Sequence, residues 1–139
     1  MASDRTLRWS AFAFALFFAL VVALGYIPAL NGSEGHVAMT ATGEHKMLGL
    51  YMIGTADDVT HGLTAVVLLV AALASARASR IGLTAFGWYY AVDAAIYLVT
   101  GFVQHRPVVS NVLLNLPHVV ISAIMLALAY RGWRHASGA

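Results

Sequence analysis

Four stretches of this chain are each apolar for about twenty residues, the length an α-helix needs to cross the roughly 30 Å hydrocarbon core of a bilayer. They cover about residues 9–29, 56–76, 81–103 and 108–130. No other feature restricts the fold so strongly, because only helices and closed barrels satisfy their own backbone hydrogen bonds inside hydrocarbon. Of the 139 residues, 60% are hydrophobic and 10% charged, and the mean hydropathy is +0.78. A soluble domain of this size carries far more charge. The expected fold is therefore all-α, an integral membrane four-helix bundle forming one domain over residues 1–139. That length leaves no room for a separate soluble catalytic domain, so any chemistry must sit between helices or in loops.

The first stretch follows Arg5 and Arg8, a flank that resembles the start of a secretory signal. Its apolar core is too long for one and Ala29-Leu30-Asn31 is a poor cleavage site, so it reads as a retained helix. The second stretch is preceded by Met47 to Ile53, expected to be an interfacial or re-entrant segment on the outer face. Thr55 followed by Asp58 resembles a capping box and predicts a helix start between Thr55 and Val59. Arg5, Arg8, Arg77, Arg80, Arg131 and Arg134 fall on one side of the four spans, against Lys46 and Arg106 on the other. The arginine-rich side is expected to be cytoplasmic, which places both termini there and Trp9 and Trp133 at the inner interface. The outer loop 31–46 holds Glu34, His36, Glu44 and His45. Its Asn31-Gly32-Ser33 sequon carries no weight in a chain whose alanine-rich composition looks bacterial.

Helices in lipid associate by close approach, so small residues every fourth position predict interfaces. Ala11, Ala15, Ala19 and Ala23 make such a stripe, as do Gly87, Ala91 and Ala95, and Ala123 and Ala127. The bulky Phe12, Phe14, Phe17 and Phe18 are expected mostly off the first stripe, facing lipid. The chain has no cysteine, which excludes disulfides, thiol relays, iron–sulfur clusters and the paired-cysteine chemistry of small four-helix quinone reductases. A net charge of +2 is too small to suggest nucleic acid. The expected surroundings are the bilayer, and either further copies of the chain or a larger membrane complex.

A shift of 57 positions carries Asp58-Val-Thr-His61 onto Asn115-Leu-Pro-His118 and Arg77 onto Arg134. The two halves thus read as related helical hairpins, the second and fourth helices each opening on an Asp or Asn cap with His three residues later. Pro117 fits the first turn of such a helix, with residues 108–114 as a connection or an upper half-helix above a kink. These motifs, with Gly25-Tyr-Ile-Pro28 and Gly87-Trp-Tyr-Tyr90, resemble those of a family of small bacterial four-transmembrane-helix proteins defined only as a domain of unknown function. The resemblance covers most of the chain and implies the four-helix fold, with no activity or cofactor attached. Asp93 and the His-bearing outer loop have no counterpart in its pattern.

An ionisable side chain inside a transmembrane helix costs several kcal/mol unless paired or hydrated, and marks a candidate site. Asp93 lies about 20 Å above Arg80 by helical rise, with Tyr89, Tyr90 and Tyr97 a turn away as hydrogen-bond donors. His118 and His61 reach about 20 and 24 Å by the same measure, so all three share the outer half. Asp57 and Asp58 precede His61 by four and three positions, close enough to orient its imidazole.

Three readings follow. In the first, the protein is a non-catalytic binding or accessory component of a membrane complex, its polar cluster (with Asp58, Tyr89, Tyr90, Tyr97 and Asn115) fixing the helices. In the second, His61 and His118 are axial ligands of a b-type haem, or Asp57, His61, Asp93 and His118 hold Cu or Zn. Glu34, His36, Met39, Glu44, His45 and Met47 would then form the outer approach to the metal. In the third, the same groups carry protons or a small solute. Serine-nucleophile catalysis has no support, since Ser110 and Ser122 read as polar contacts within helices.

Overall fold

A computed structural model describes residues 4–27, 45–47 and 51–136, with side chains described from Ile53 to Arg131 and from Asp4 to Ile27. Four helices follow one another: α1 (Asp4–Gly25), α2 (Thr55–Ala74), α3 (Ala76–Val103) and α4 (Val108–Ala136). All four are long and apolar enough to cross a membrane. The chain is thus an all-α, multi-pass membrane protein. Its polarity is inside-out relative to a soluble protein: Thr64, Ser79 and Asn111 are fully buried, while Val103 and Val109 are each 71% exposed. Hydrocarbon solvates the valines, and polar groups must find partners within the chain.

Two helices begin well before the apolar stretches that announce them. α1 starts at Asp4, not residue 9, and closes at Gly25, not residue 29; α3 starts at Ala76, not residue 81. Arg77 and Arg80 therefore lie in helix and not in a loop. Only Ser75 separates α2 from α3, and its side chain accepts the Ala78 N–H to cap α3. The segment before α2 is a two-stranded antiparallel ribbon, with β1 (His45–Met47) against β2 (Tyr51–Ile53) in the register His45↔Ile53. At the start of α2 the back-bond is made by Asp57, not Asp58: Asp57 Oδ2 accepts the Gly54 N–H at 3.0 Å. Gly54 is therefore the N-cap, one residue earlier than the Thr55–Asp58 spacing implies.

The chain divides into two compact units, one formed by Phe12–Val70 and the other by the segments Met1–Ala11 and Ala71–Ala139. In the unit containing α3 and α4, the end of α2 is held by side chains. Arg8 donates from Nε to Ala72 O at 2.7 Å and from Nη2 to Leu73 O at 3.1 Å, and the Ser79 hydroxyl donates to Ala71 O. Ala72 O and Leu73 O are among the last carbonyls of the helix, which lack intrahelical donors, while Ala71 O also accepts the Ser75 N–H; a cation there offsets the helix dipole. Arg8 thus has a structural partner beyond any part it plays in orientation.

α3 and α4 form an antiparallel hairpin joined by residues 104–107. Arg106 N donates to Gly101 O and His105 N to Phe102 O, with His105 at φ 57. This is a Schellman closure in which histidine occupies the left-handed position that usually selects glycine. Just inside the turn, Asn111 Nδ2 donates to Leu98 O at 2.9 Å. A Cβ on Gly101 would collide with the Asn111 amide, so glycine is what allows the close approach. α4 runs unbroken from Val108, with Pro117 inside it. The expectation that Asn115 caps a helix start and that Pro117 sits in its first turn is therefore corrected. Asn115 is interior and donates from Nδ2 to Asn111 O at 2.8 Å.

The small-residue stripes hold only in part. Ala11 and Ala15 are buried, but the seam of α1 then passes to Phe18, 1% exposed, and leaves Ala19 and Ala23 on the surface. On α3 it runs from Gly87 to Tyr90 and Ala94, and on α4 through Ser122, Met125 and Ala129, leaving Ala123 and Ala127 exposed. A step of four overshoots the 3.6-residue turn by about 40°, so a strict four-residue stripe rotates off a seam that alternates steps of three and four.

Replacing Gly101 with Ala is expected to push Asn111 off Leu98 and lower stability by about 1–3 kcal/mol, read as a lower unfolding midpoint in detergent. His105→Gly is expected to act the other way, raising that midpoint by the equivalent of about 1 kcal/mol through relief of the left-handed penalty.

Candidate functional site

The α3–α4 register set at Gly101 and Asn111 carries Asp93 to His118. Asp93 Oδ2 lies 3.0 Å from His118 Nδ1, with the imidazole and carboxylate side chains 29% and 23% exposed. The Tyr90 ring, 1% exposed, lies against the imidazole with centroids 5.4 Å apart and planes tilted 35°. Tyr89 meets Tyr90 edge to face at 5.2 Å, and both Tyr89 and Tyr97 are about half exposed. The carboxylate thus meets the imidazole of the next helix. Such a contact fixes the ring orientation.

His118 belongs to a longer polar seam. Asn111, Asn115, His118 and Ser122 follow one another at steps of four, three and four along α4. Both asparagines and Ser122 are buried, and Ser122 donates to Val119 O at 2.9 Å. Asn111 and Ser122 are members of the seam that sequence reasoning did not place in a site. Their signal was available: apart from Ser110 and the terminal Tyr130, every polar side chain from Val108 to Tyr130 falls on this one face.

The other unit contains His61, Asp57 and Asp58. Asp58 and His61 are both buried, on one face of α2. Asp58 Oδ2 accepts the Tyr26 hydroxyl at 2.8 Å, while His61 stacks on Phe18 with ring centroids 5.7 Å apart and planes at 21°. Phe18 is therefore an interior residue and not one facing lipid. Asp57 is engaged at the helix cap. The two imidazoles that a bis-histidine haem would need thus belong to different units. Among the described residues, no three His, Asp or Glu side chains gather in a group that could hold a metal ion. Glu34, His36, Met39 and Glu44 of the proposed outer approach lie outside the described residues, as do the side chains of His45 and Met47.

The internal repeat is visible in what each helix buries. The shift of 57 carries the buried Asp58, Ala65, Leu68 and Ala72 of α2 onto the buried Asn115, Ser122, Met125 and Ala129 of α4. A shift of 72 carries Leu7, Ala11, Ala15 and Phe18 of α1 onto Ser79, Leu83, Gly87 and Tyr90 of α3, also all buried. Each hairpin accordingly sets an aromatic ring from its first helix against a histidine of its second. The copies differ in charge: Val21 stands where Asp93 would, and Asp58 stands where Asn115 would.

Comparison with protein-family models, with curated proteins and with solved structures found no match to this chain.

Tyr26 lies just past α1, and its phenol is pushed above the ordinary 10.0, first by the hydrogen bond it donates to Asp58, then by desolvation and by the carboxylate's charge. A group whose folded pKa is raised stabilises the fold below its unfolded pKa, and that contribution disappears as pH rises through the folded value. The contact's contribution is therefore present at neutral pH and is lost as pH rises through the folded value. Ultraviolet titration, with Tyr26→Phe identifying the signal, is expected to show this phenol ionising late and Asp58→Ala returning it toward 10.0. An unchanged titration in Asp58→Ala would count against the contact.

Proposed function

We propose that this protein is a non-catalytic integral component of a membrane assembly, binding a partner or further copies of itself through the lateral faces of its helices. The observation that carries the reading is where the intramembrane polar groups are spent. Asn111, Asn115, Asp93 with His118, and Asp58 with Tyr26 all make contacts within a hairpin. Polar side chains placed this way act as interhelical fasteners. The surface around them is apolar, with Val66, Val70 and Leu73 on α2 and Val92, Ile96 and Val99 on α3 all more than half exposed. The arginine distribution supports a bacterial cytoplasmic membrane with both termini inside. The motif resemblance to small bacterial four-helix membrane proteins is compatible with this and adds no activity.

One observation favours haem b or Cu/Zn binding as a second reading. His118 offers Nδ1 to a carboxylate, the outer-shell arrangement by which metal-ligating histidines are commonly oriented. Its Nε2 is the atom that would bind, and His61 would have to supply the second axial position of a haem.

The two readings part on purified protein. Gentle solubilisation is expected to yield a complex of fixed composition, larger than one chain, without a Soret band and without stoichiometric Cu or Zn. A Soret band lost in His61→Ala and His118→Ala, or metal retained at one equivalent, would transfer the assignment to the cofactor reading. A chain that remains monomeric under those conditions counts against the accessory one.

A further inference from the structure

At the beginning of α3, Arg77, Arg80, Ile81, Thr84 and Ala85 line a partly open cleft of about 540 Å³. Positions separated by three, four, seven and eight residues share one helical face, so both arginines and the apolar floor arise from the same side of α3. Ser79, Leu83, Gly87 and Tyr90 are buried on another face, which leaves the cleft directed away from the hairpin core. Trp88, 52% exposed, continues the cleft face four residues beyond Thr84.

The order along the helix matches the cross-section of a leaflet. Arg77 and Arg80 stand at the end of the span, where headgroups lie; Ile81 and Ala85 follow at the depth of the first acyl carbons. Trp88 lies about 12 Å further in than Arg80 by helical rise. Thr84 donates its hydroxyl to Arg80 O at 2.8 Å and so brings no unmet donor into the apolar part. Two guanidinium groups a turn apart suit a phosphate, which arginine binds by paired N–H donors. Inorganic phosphate would satisfy the arginines but leave Ile81 and Ala85 without a partner, whereas a phospholipid occupies both ends. Basic pockets beside transmembrane helices at the membrane surface recognise anionic headgroups on the same grounds.

We propose that this face of α3 is a binding site for an anionic phospholipid, with Arg77 and Arg80 on the headgroup phosphate and Ile81 and Ala85 along the acyl chains. The test uses the full chain in detergent, titrated with short-chain phosphatidylglycerol or phosphatidylcholine and followed by native mass spectrometry. Phosphatidylglycerol is expected to bind in preference. Arg77→Gln and Arg80→Gln should each weaken it about fivefold and the double variant about 25-fold, the effect of roughly one basic residue each at an anionic surface. Arg131→Gln, exposed on α4 and outside the cleft, is expected to leave the affinity unchanged. If the double variant does not fold, the two single variants carry the test. Equal binding of both lipids, an equal loss in Arg131→Gln, single variants without effect, or displacement of the lipid by equimolar inorganic phosphate would each overturn the proposal.

Discussion

Hydrocarbon offers no hydrogen-bond partner, and most of this structure is a response to that fact. Hydroxyls inside the spans turn back on their own helix, as Thr60 does to Ala56 O and Thr64 to Thr60 O. Amides cross to the neighbouring helix or bond along their own, as Asn111 and Asn115 do. Charge-bearing groups are paired, Asp93 with His118, or placed at helix ends, as Asp57 and Arg8 are. The same demand explains why Thr64, Asn111, Asn115 and Ser122 are buried within the spans while most of the valines and isoleucines there are exposed.

The number and class of the elements were legible because each span leaves a mark about twenty residues long. Their ends were less so. α1 and α3 extend through Asp4–Arg8 and Ala76–Arg80, where the apolar run has ended but nothing in the sequence breaks the helix. Asp93 and His118 each stood out individually as titratable groups in apolar sequence. Their pairing did not, because it depends on a register fixed about 12 Å away by helical rise, where Gly101 lets the Asn111 amide approach the backbone. The division of labour between Asp57 and Asp58 was equally hidden, since adjacent carboxylates differ by about 100° around the helix and only the fold decides which one meets Tyr26.

The two hairpins share a plan and diverge where charge is concerned. Both press an aromatic ring onto a histidine, but only in the second is the contact partner of the imidazole shown to be a carboxylate. In the first, the Asp58 carboxylate at the opening of α2 accepts the Tyr26 hydroxyl. The two imidazoles thus stand in unlike surroundings, one stacked on Phe18 and the other against Tyr90 and Asp93.

The short link between α3 and α4 bears on biogenesis. Asn111 reaches Leu98 across a separation of only 13 residues, so the amide can be satisfied as soon as the first turn of α4 leaves the ribosome. A nascent chain that folds back this early can partition from the translocon as a pre-closed pair, sparing α4 the cost of presenting two asparagines to lipid on its own. The glycine at position 101 would then matter to the insertion pathway as well as to the finished protein.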